Sequence, residues 1–171
     1  MDDEGKIWAT TFTDKGRKRA VESLLESLPP DSSFKEERTA YADKILGKMK
    51  SLVKGKEVSF GYELAMDSVP SFYRRVYGVL RKVPQGRVIS YGDLAKATGV
   101  GRAARAVGNA MKNNPFPLVV PCHRVIKSDR SLGGFGEGVD LKEKILLKEG
   151  ISFKKGRVDK NSLLHPGEVA R

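Results

Sequence analysis

Hydrophobic residues in the first part of the chain follow two patterns, alternation and helical spacing, and together these patterns predict a mixed α/β protein. Apolar and polar residues alternate at both ends of this region, which is typical of strands. In between, apolar residues recur at helical spacing, which is typical of amphipathic helices. The predicted order is strand, helix, helix and strand, over residues 6–13, 21–28, 41–53 and 58–66. Asp14 is the expected N-cap of the first helix, and Gly55 is expected to end the second.

The second half of the chain predicts shorter helices, and two of them form a helix-turn-helix. The spacing indicates helices over residues 72–80, 91–98, 102–113 and 141–149. Ser68 or Ser71 is expected to cap the first of these helices. The second and third are separated by residues 99–101, and a short turn with glycine between two short helices is typical of a helix-turn-helix.

The segments between these helices are predicted to be mostly irregular. Residues 88–90 are expected to be extended, whereas residues 115–126 contain too many prolines for a regular helix or a central strand. A glycine-rich loop follows at residues 130–138, and a strand fragment with a polar tail begins at Phe153.

Basic residues are concentrated in one part of the chain, which divides it into three predicted segments. Residues 1–67 are expected to form an N-terminal α/β domain of net charge −1, and residues 68–155 a mostly helical C-terminal domain of net charge +11. Residues 156–171 form a tail of net charge +1. A basic domain beside a neutral one indicates a surface for a polyanion such as DNA. Composition alone fits an ordinary basic protein equally well.

Composition also bounds the class of protein and its location. Of the 171 residues, 39% are hydrophobic and 31% are charged, as in ordinary globular proteins. No stretch reaches the roughly 18 apolar residues that span a bilayer, and the acidic start at Asp2 and Asp3 is unlike a signal peptide. A single cysteine cannot form an internal disulfide, which agrees with a reducing compartment. We therefore expect no membrane partner and a cytoplasmic location, or a nuclear one in a eukaryote.

The candidate chemistry lies in the motif Pro-Cys-His-Arg-Val at residues 121–125. A cysteine reacts as its thiolate, and a neighbouring base or cation makes that form more accessible. Cys122 is followed directly by His123 and Arg124. Glu149 on the last predicted helix could orient His123, as the third member of a nucleophile, base and orienting group. Each residue also has an ordinary interpretation, as a buried inert thiol for Cys122 and as a solvated charge for Glu149.

The second helix of the helix-turn-helix is unusually thin. Its residues are mostly alanine and glycine, with the long side chain of Arg105 projecting from it. Such a helix can enter a narrow groove of DNA that bulky helices cannot. Close packing against another helix would explain the same small residues, and Arg102 and Arg105 could instead be surface charges or phosphate contacts.

Taken together, these motifs resemble those of the O6-alkylguanine-DNA alkyltransferases, the methylated-DNA–protein-cysteine methyltransferases. The resemblance covers about residues 70–152. The matching stretches are residues 83–91, 102–111, 114–115, Pro117, 121–125 and 148–150. It implies an RNase H-like α/β N-terminal domain followed by a helical, winged-helix-like C-terminal domain.

The resemblance also implies a reaction. Cys122 would accept the alkyl group of O6-alkylguanine, or of O4-alkylthymine, in an irreversible single-turnover reaction. His123 would take the thiol proton through a water, and Glu149 would set the tautomer of His123. Asn114 would connect the active-site segment to the DNA-reading helix. Tyr91 would press on the phosphate behind the target base and donate a hydrogen bond to the guanine.

Further residues are implied as DNA contacts and as pocket walls. Arg105 would fill the gap left by a nucleotide that is flipped out through the minor groove. The other implied DNA contacts are Tyr91, Arg102, Ala103, Ala104, Gly108, Ser90 and Arg124. The implied pocket residues are Val125, Gly136, Phe135, Met111 and Pro117. The expected partner is double-stranded DNA that contains O6-alkylguanine, bound by a monomer, with cooperative binding left open. No cofactor is expected.

Two departures from the family pattern and two alternatives qualify this interpretation. Phe135 and Gly136 stand where the family often has tyrosine and serine, so that a hydroxyl contact is lost. Residues 1–67 contain no cysteine or histidine, so that the zinc site of some relatives is not expected. Cys122 stands where the alkyltransferase-like damage sensors have tryptophan, which favours repair over damage sensing alone. The alternatives are a helix-turn-helix regulator without chemistry and a cysteine hydrolase, for which adjacent Cys and His are poorly placed.

Overall fold

The first half of the molecule contains two helices of very different packing. The structure is a computed structural model that describes residue 2 and residues 5–169. Helix α1 spans Arg17–Glu26 and buries none of its residues. Helix α2 spans Ala40–Val53, begins where the Thr39 hydroxyl accepts the backbone N–H of Ala42, and buries Ile45, Met49 and Leu52. Helix α2 therefore anchors this half to the core.

The strands predicted at residues 6–13 and 58–66 are wrong. The two segments meet at a single parallel bridge between Ile7 and Leu64. Beyond that bridge the first segment no longer pairs with residues 58–66. The Thr10 backbone N–H instead donates to the carbonyl of Pro115 at 2.8 Å. The backbone N–H of Thr10 thus has its hydrogen-bond partner in the other half of the molecule and not in a sheet.

Two predicted helix caps are also wrong. Gly16, and not Asp14, is the N-cap of α1. Helix α3 spans Ser71–Leu80 and follows Pro70, without a side-chain cap from Ser68 or Ser71. The ring of Pro70 fixes its φ at a value that is compatible with the start of a helix, and α3 begins there without a hydroxyl cap.

The helix-turn-helix is confirmed. Strand β1 (Ile89–Ser90) leads directly into helix α4 (Tyr91–Ala97), and helix α5 spans Ala104–Lys112. The Ser90 hydroxyl accepts the backbone N–H of Asp93 and so caps α4.

The cysteine motif is joined to the start of the helix-turn-helix. A 3-10 helix spans Cys122–Arg124 and continues into strand β2 (Val125–Ile126). This strand pairs in parallel with β1. Helix α6 (Val139–Lys148) then packs against the 3-10 helix. The short sheet therefore fixes the distance between Cys122 and the first residue of α4.

The predicted polar tail is part of the packed structure. Strands β3 (Phe153–Lys154) and β4 (Arg157–Val158) form a hairpin, followed by a 3-10 helix over Lys160–Ser162 and helix α7 (Pro166–Val169). Its apolar residues Val158, Leu164 and Val169 are buried. The core continues across both halves of the molecule. Among the described residues, no helix has the length and apolar character to cross a membrane.

Candidate active site and DNA-facing helices

Cys122 lies in the wall of a cleft between the two halves of the molecule. The cleft has a volume of about 1030 Å³. Cys122 is 8% exposed and lies at the first position of the 3-10 helix. Burial raises the pKa of the thiol, while a hydrogen bond from Asn114 and the charge of Lys142 act in the opposite direction. Cys122 is therefore enclosed but open to the cleft on one side.

His123 and Glu149 are in direct contact behind the cysteine. The imidazole is 0% exposed, and its Nε2 lies 3.0 Å from Oε1 of Glu149. Burial lowers the pKa of His123, so that the ring is neutral at neutral pH. Burial alone would raise the pKa of Glu149, but hydrogen bonds from His123 and Arg124 lower it to about 2.

These charges determine which nitrogen of His123 has the proton. An ionised carboxylate can only accept hydrogen bonds, so that Nε2 must donate to Glu149. The lone pair then lies on Nδ1, which is buried and has no hydrogen-bond partner among the described residues. The site thus contains a neutral imidazole with an unused acceptor nitrogen.

Arg124 lies in this buried network and not on the surface that the sequence predicts to face DNA. It is 7% exposed, and its Nε and Nη2 donate to the two carboxylate oxygens of Glu149 at 2.9 and 2.7 Å. Its Nη1 donates to the carbonyl of Val83 at 2.8 Å. The predicted DNA contact by Arg124 is wrong, because all three guanidinium nitrogens already have partners inside the protein.

Ser90 is likewise unsuited to the DNA contact predicted for it. Its side chain is buried, with the residue 5% exposed. The hydroxyl accepts the backbone N–H of Asp93 at 3.0 Å and donates to Oδ2 of Asp93 at 2.7 Å. The hydroxyl therefore serves to begin α4.

Asn114 organises the backbone that leads to the cysteine. Its Nδ2 donates to the carbonyl of Val120 at 3.1 Å, and its Oδ1 accepts the backbone N–H of Phe116 at 3.0 Å. The same side chain contacts the Cys122 thiol. It thus holds both ends of the proline-containing loop beside the end of α5.

The cleft brings together most of the predicted pocket residues. Its walls include Cys122 and the residues Tyr91, Met111, Asn114, Pro117, Phe135 and Gly136. Val125 lies behind this wall and is fully buried. Tyr91 packs closely on the glycine-rich loop, since a Cβ at Gly133 would lie 3.2 Å from Cε2 of Tyr91.

The surface predicted to face DNA is exposed at α5. Arg102, Ala104 and Arg105 are exposed at the start of this helix, and Ala103 is half-buried beside them. Gly108 lies one turn further along and belongs to the cleft wall. The thin face of α5 thus leads from the surface to the cysteine.

Two parts of the site were not predicted from the sequence. Thr10 donates through Oγ1 to the carbonyl of Pro117 at 2.9 Å, and the Phe12 ring lies 6.0 Å from that of Phe135. No local motif indicates contacts between residues more than one hundred positions apart. Lys142 is completely buried on α6. The sequence contains a signal for this burial, because Lys142 lies on the same face of the helix as Ile145 and Leu146.

Comparisons with known proteins agree with this arrangement. Residues 71–151 match the family model for the DNA-binding domain of 6-O-methylguanine DNA methyltransferase. A methylated-DNA–protein-cysteine methyltransferase of Methanosarcina acetivorans is 32% identical over 149 residues, which cover 87% of this chain and 88% of the relative. The chain belongs to the O6-methylguanine-DNA methyltransferase family. The mixed α/β class with a helical domain is thereby confirmed.

Other members of this family match over shorter lengths. Methylated-DNA–protein-cysteine methyltransferases of Methanothermobacter thermautotrophicus and Thermococcus kodakarensis are 38% and 48% identical, over 65% and 54% of this chain. The chain spans 62% and 52% of those two relatives.

Solved structures of the family have a similar fold. The O6-methylguanine-DNA methyltransferase of Pyrococcus kodakaraensis is 39% identical with a TM-score of 0.60, over 77% of this chain and 75% of that one. A Mycobacterium tuberculosis OGT, solved in complex with DNA, is 36% identical with a TM-score of 0.58, over 63% of this chain and 66% of that one.

Proposed function

We propose that this protein repairs DNA by transferring the alkyl group of O6-alkylguanine, and of O4-alkylthymine, to Cys122. The observation that carries the proposal is the cysteine in the cleft wall, followed by a buried neutral imidazole whose Nε2 donates to Glu149. A neutral ring with a free acceptor nitrogen can take the thiol proton, directly or through one water. Membership of the methyltransferase family supports the same reaction.

The proposed transfer is an in-line displacement at the alkyl carbon. The thiol proton passes to Nδ1 of His123, and the sulfur forms a bond to the carbon while the carbon–O6 bond breaks. The electron pair of that bond stays on guanine, where a hydrogen bond from the Tyr91 hydroxyl stabilises the developing charge. The proton held by His123 returns to the guanine, and a thioether remains on Cys122. Because no group in the site can cleave a thioether, each chain reacts once.

The proposed partner is double-stranded DNA, bound by a monomer through α4 and α5. The target base lies inside the stack and must be flipped out, at a cost of a few kcal/mol. Arg105, exposed on α5, would occupy the gap and offset part of that cost. Arg102 and the small residues at the start of α5 would contact the backbone of the same groove.

The first experiment follows the alkyl group itself. Duplex DNA with radiolabelled O6-methylguanine is incubated with the protein, and the cysteine peptide is analysed by mass spectrometry. We expect one methyl group per chain on Cys122 and none on Cys122→Ser, which should still bind DNA. A regulator without chemistry would leave Cys122 unlabelled, and a hydrolase would process more than one substrate per chain.

The second experiment separates DNA handling from chemistry. Arg105→Ala should slow repair of duplex DNA more than reaction with free O6-benzylguanine, which needs no flipping. Arg157→Ala is the control, since Arg157 is also exposed but lies on the β3–β4 hairpin. Equal slowing of both reactions by Arg105→Ala would remove the proposed role of Arg105 in flipping.

A further inference from the structure

Phe12 brings an apolar side chain from the first half of the molecule into the cleft that contains Cys122. The other described residues of this half that line the cleft are all polar, namely Thr10, Thr11, Ser23, Glu26 and Ser27. Within this part of the wall, the ring of Phe12 is therefore the one apolar group that a ligand in the cleft would meet. The proposed reaction gives it no role.

The segment around Phe12 is held against the loop that leads to Cys122. The backbone N–H of Thr10 donates to the carbonyl of Pro115 at 2.8 Å, and its hydroxyl donates to the carbonyl of Pro117 at 2.9 Å. Thr10 is 8% exposed, and hydrogen bonds that are shielded from water hold their groups in place more strongly than exposed ones. The position of Phe12, two residues further on, is thus set by contacts with the second half of the molecule.

The ring of Phe12 lies beside the ring of Phe135, which belongs to the glycine-rich loop and lines the same cleft. The ring centroids are 6.0 Å apart, and the ring planes are inclined at 46°. Both residues are half-buried, so that part of their apolar surface remains uncovered. The two rings form one aromatic wall, to which each half of the molecule contributes one side chain.

The size of the cleft decides whether this wall excludes a bulky group or binds it. The volume of about 1030 Å³ is at the upper end of the roughly 300–1,000 Å³ that encloses drug-sized ligands. Volume therefore does not exclude a guanine that carries a benzyl group. A wall that does not exclude such a group stabilises it, because apolar contact grows with the area removed from water and aromatic rings add a further attraction.

We propose that Phe12 is a specificity-determining residue, which together with Phe135 forms a subsite for aromatic and other bulky apolar groups on O6 of guanine. The identity of the substrate rests on the proposed function. The subsite itself is detectable without guanine, since any reagent that brings an aryl ring to the Cys122 thiol would use it. A methyl group buries too little apolar surface to benefit from the same wall.

The test compares two thiol reagents that differ only in a benzyl group, iodoacetamide and N-benzyliodoacetamide. With each reagent the thiolate displaces iodide, and a sulfur–carbon bond replaces the carbon–iodine bond. Cys122 is the only cysteine of the chain, so that mass spectrometry of its peptide gives both rates. The ratio of the benzyl rate to the iodoacetamide rate cancels any change in the ionisation of the thiol. The variants are Phe12→Ala, Phe12→Leu and, as control, Phe34→Ala, which changes a residue of the same half that is 66% exposed.

We expect Phe12→Ala to lower this ratio about fivefold, the size expected for loss of one aromatic contact. Phe12→Leu should lower it less, because leucine keeps an apolar surface without the ring, and Phe34→Ala should leave it unchanged. An unchanged ratio in folded Phe12→Ala would overturn the proposal. A higher ratio would overturn it as well, since Phe12 would then obstruct bulky groups.

The same variants distinguish failure of the subsite from failure of the proposed function. Phe12→Ala should also react about fivefold more slowly with free O6-benzylguanine, relative to its rate with methylated duplex DNA. If Cys122 of the wild type accepts no alkyl group from either guanine substrate, the proposed function is wrong, whereas the ratio for the two iodoacetamides still reports on the subsite.

A measurement on the wild-type chain covers the case in which the Phe12 variants do not fold. N-Benzyliodoacetamide converts Cys122 to a thioether that carries the benzyl ring, and nuclear Overhauser effects are measured between this ring and the phenylalanine rings of the protein. We expect contacts of the benzyl ring with both Phe12 and Phe135. Absence of the contact with Phe12 would overturn the proposal.

Discussion

Replacing Glu149 with glutamine tests how much the buried contacts of this carboxylate contribute to folding. Glutamine keeps the size of the side chain, but it removes the charge and replaces one acceptor oxygen with an NH2 donor, which then faces an N–H donor of Arg124 or His123. The ordinary pKa of 4.5 falls to about 2 in the folded protein. That difference corresponds to about 3 kcal/mol of stability at neutral pH. Removing one partner of a buried ion pair costs a similar amount, about 3–5 kcal/mol, in other proteins.

The effect should depend on pH in a definite direction. A carboxyl group whose pKa is lowered by folding stabilises the protein above its unfolded pKa and loses that effect as the pH falls through the folded value. The difference between wild type and Glu149→Gln should therefore be constant above about pH 5 and about 2 kcal/mol smaller at pH 3. For a chain of this size, the loss at pH 7 lowers Tm by about 6–12 °C.

The assay is urea denaturation at pH 7 and at pH 3, with transfer from alkylated duplex DNA measured in parallel. The control is Glu143→Gln, the same substitution on helix α6, which ends directly before Glu149. Transfer should slow by at least about tenfold, because the amide no longer fixes the tautomer of His123. A loss below about 1 kcal/mol at pH 7, or a loss of the same size at both pH values, would refute this account of the Glu149 contacts.

Three further substitutions test close contacts elsewhere. Tyr77→Phe should lower stability by about 1–2 kcal/mol in denaturant titrations, because its hydroxyl donates to the carbonyl of Ala110 at 2.7 Å, with the carbonyl of Asn113 3.1 Å away, at the end of α5. Gly133→Ala should slow transfer to Cys122 in the labelling assay, because the new methyl group would press on Tyr91, 3.2 Å away. Gly55→Ala should lower Tm sharply, because Gly55 has φ +84° and a Cβ there would collide with the carbonyl of Lys148.

Each of these predictions has a control variant or an outcome that would contradict it. Gly16→Ala has the same backbone strain as Gly55→Ala, at φ +88°, with no atom within 4 Å of the new methyl group. An equal loss of Tm in both would mean that the contact with α6 contributes nothing. Gly138→Ala has the same kind of backbone strain as Gly133→Ala, at φ +100° against +72°, with no atom within 4 Å of the new methyl group, so that it should slow transfer less than Gly133→Ala does. Tyr73→Phe is the control for Tyr77→Phe, and wild-type stability in Tyr77→Phe would exclude the hydroxyl contacts as a source of stability.

The sequence by itself determined the local elements and the chemistry of the second half of the chain. Helical spacing and the glycines at residues 99–101 were enough for the helix-turn-helix, because a short turn and two apolar faces are local properties. The cysteine motif and the distant Glu149 could be combined into one site through resemblance to a known family. The contact between His123 and Glu149 is present in the structure.

Tertiary structure alone decided where the side chains point and what the first half contributes. Alternating residues at 6–13 predict a strand, but a strand needs a neighbour for its backbone, and Thr10 bonds to residues more than one hundred positions away. The sequence suggests that Arg124 contacts DNA, whereas in the structure it is an internal partner of Glu149. Lys142 resembles a surface charge in the sequence, whereas in the structure it is buried. Periodicity shows which face of a segment is apolar, but the groups that will satisfy a buried charge are known only once the chain has folded.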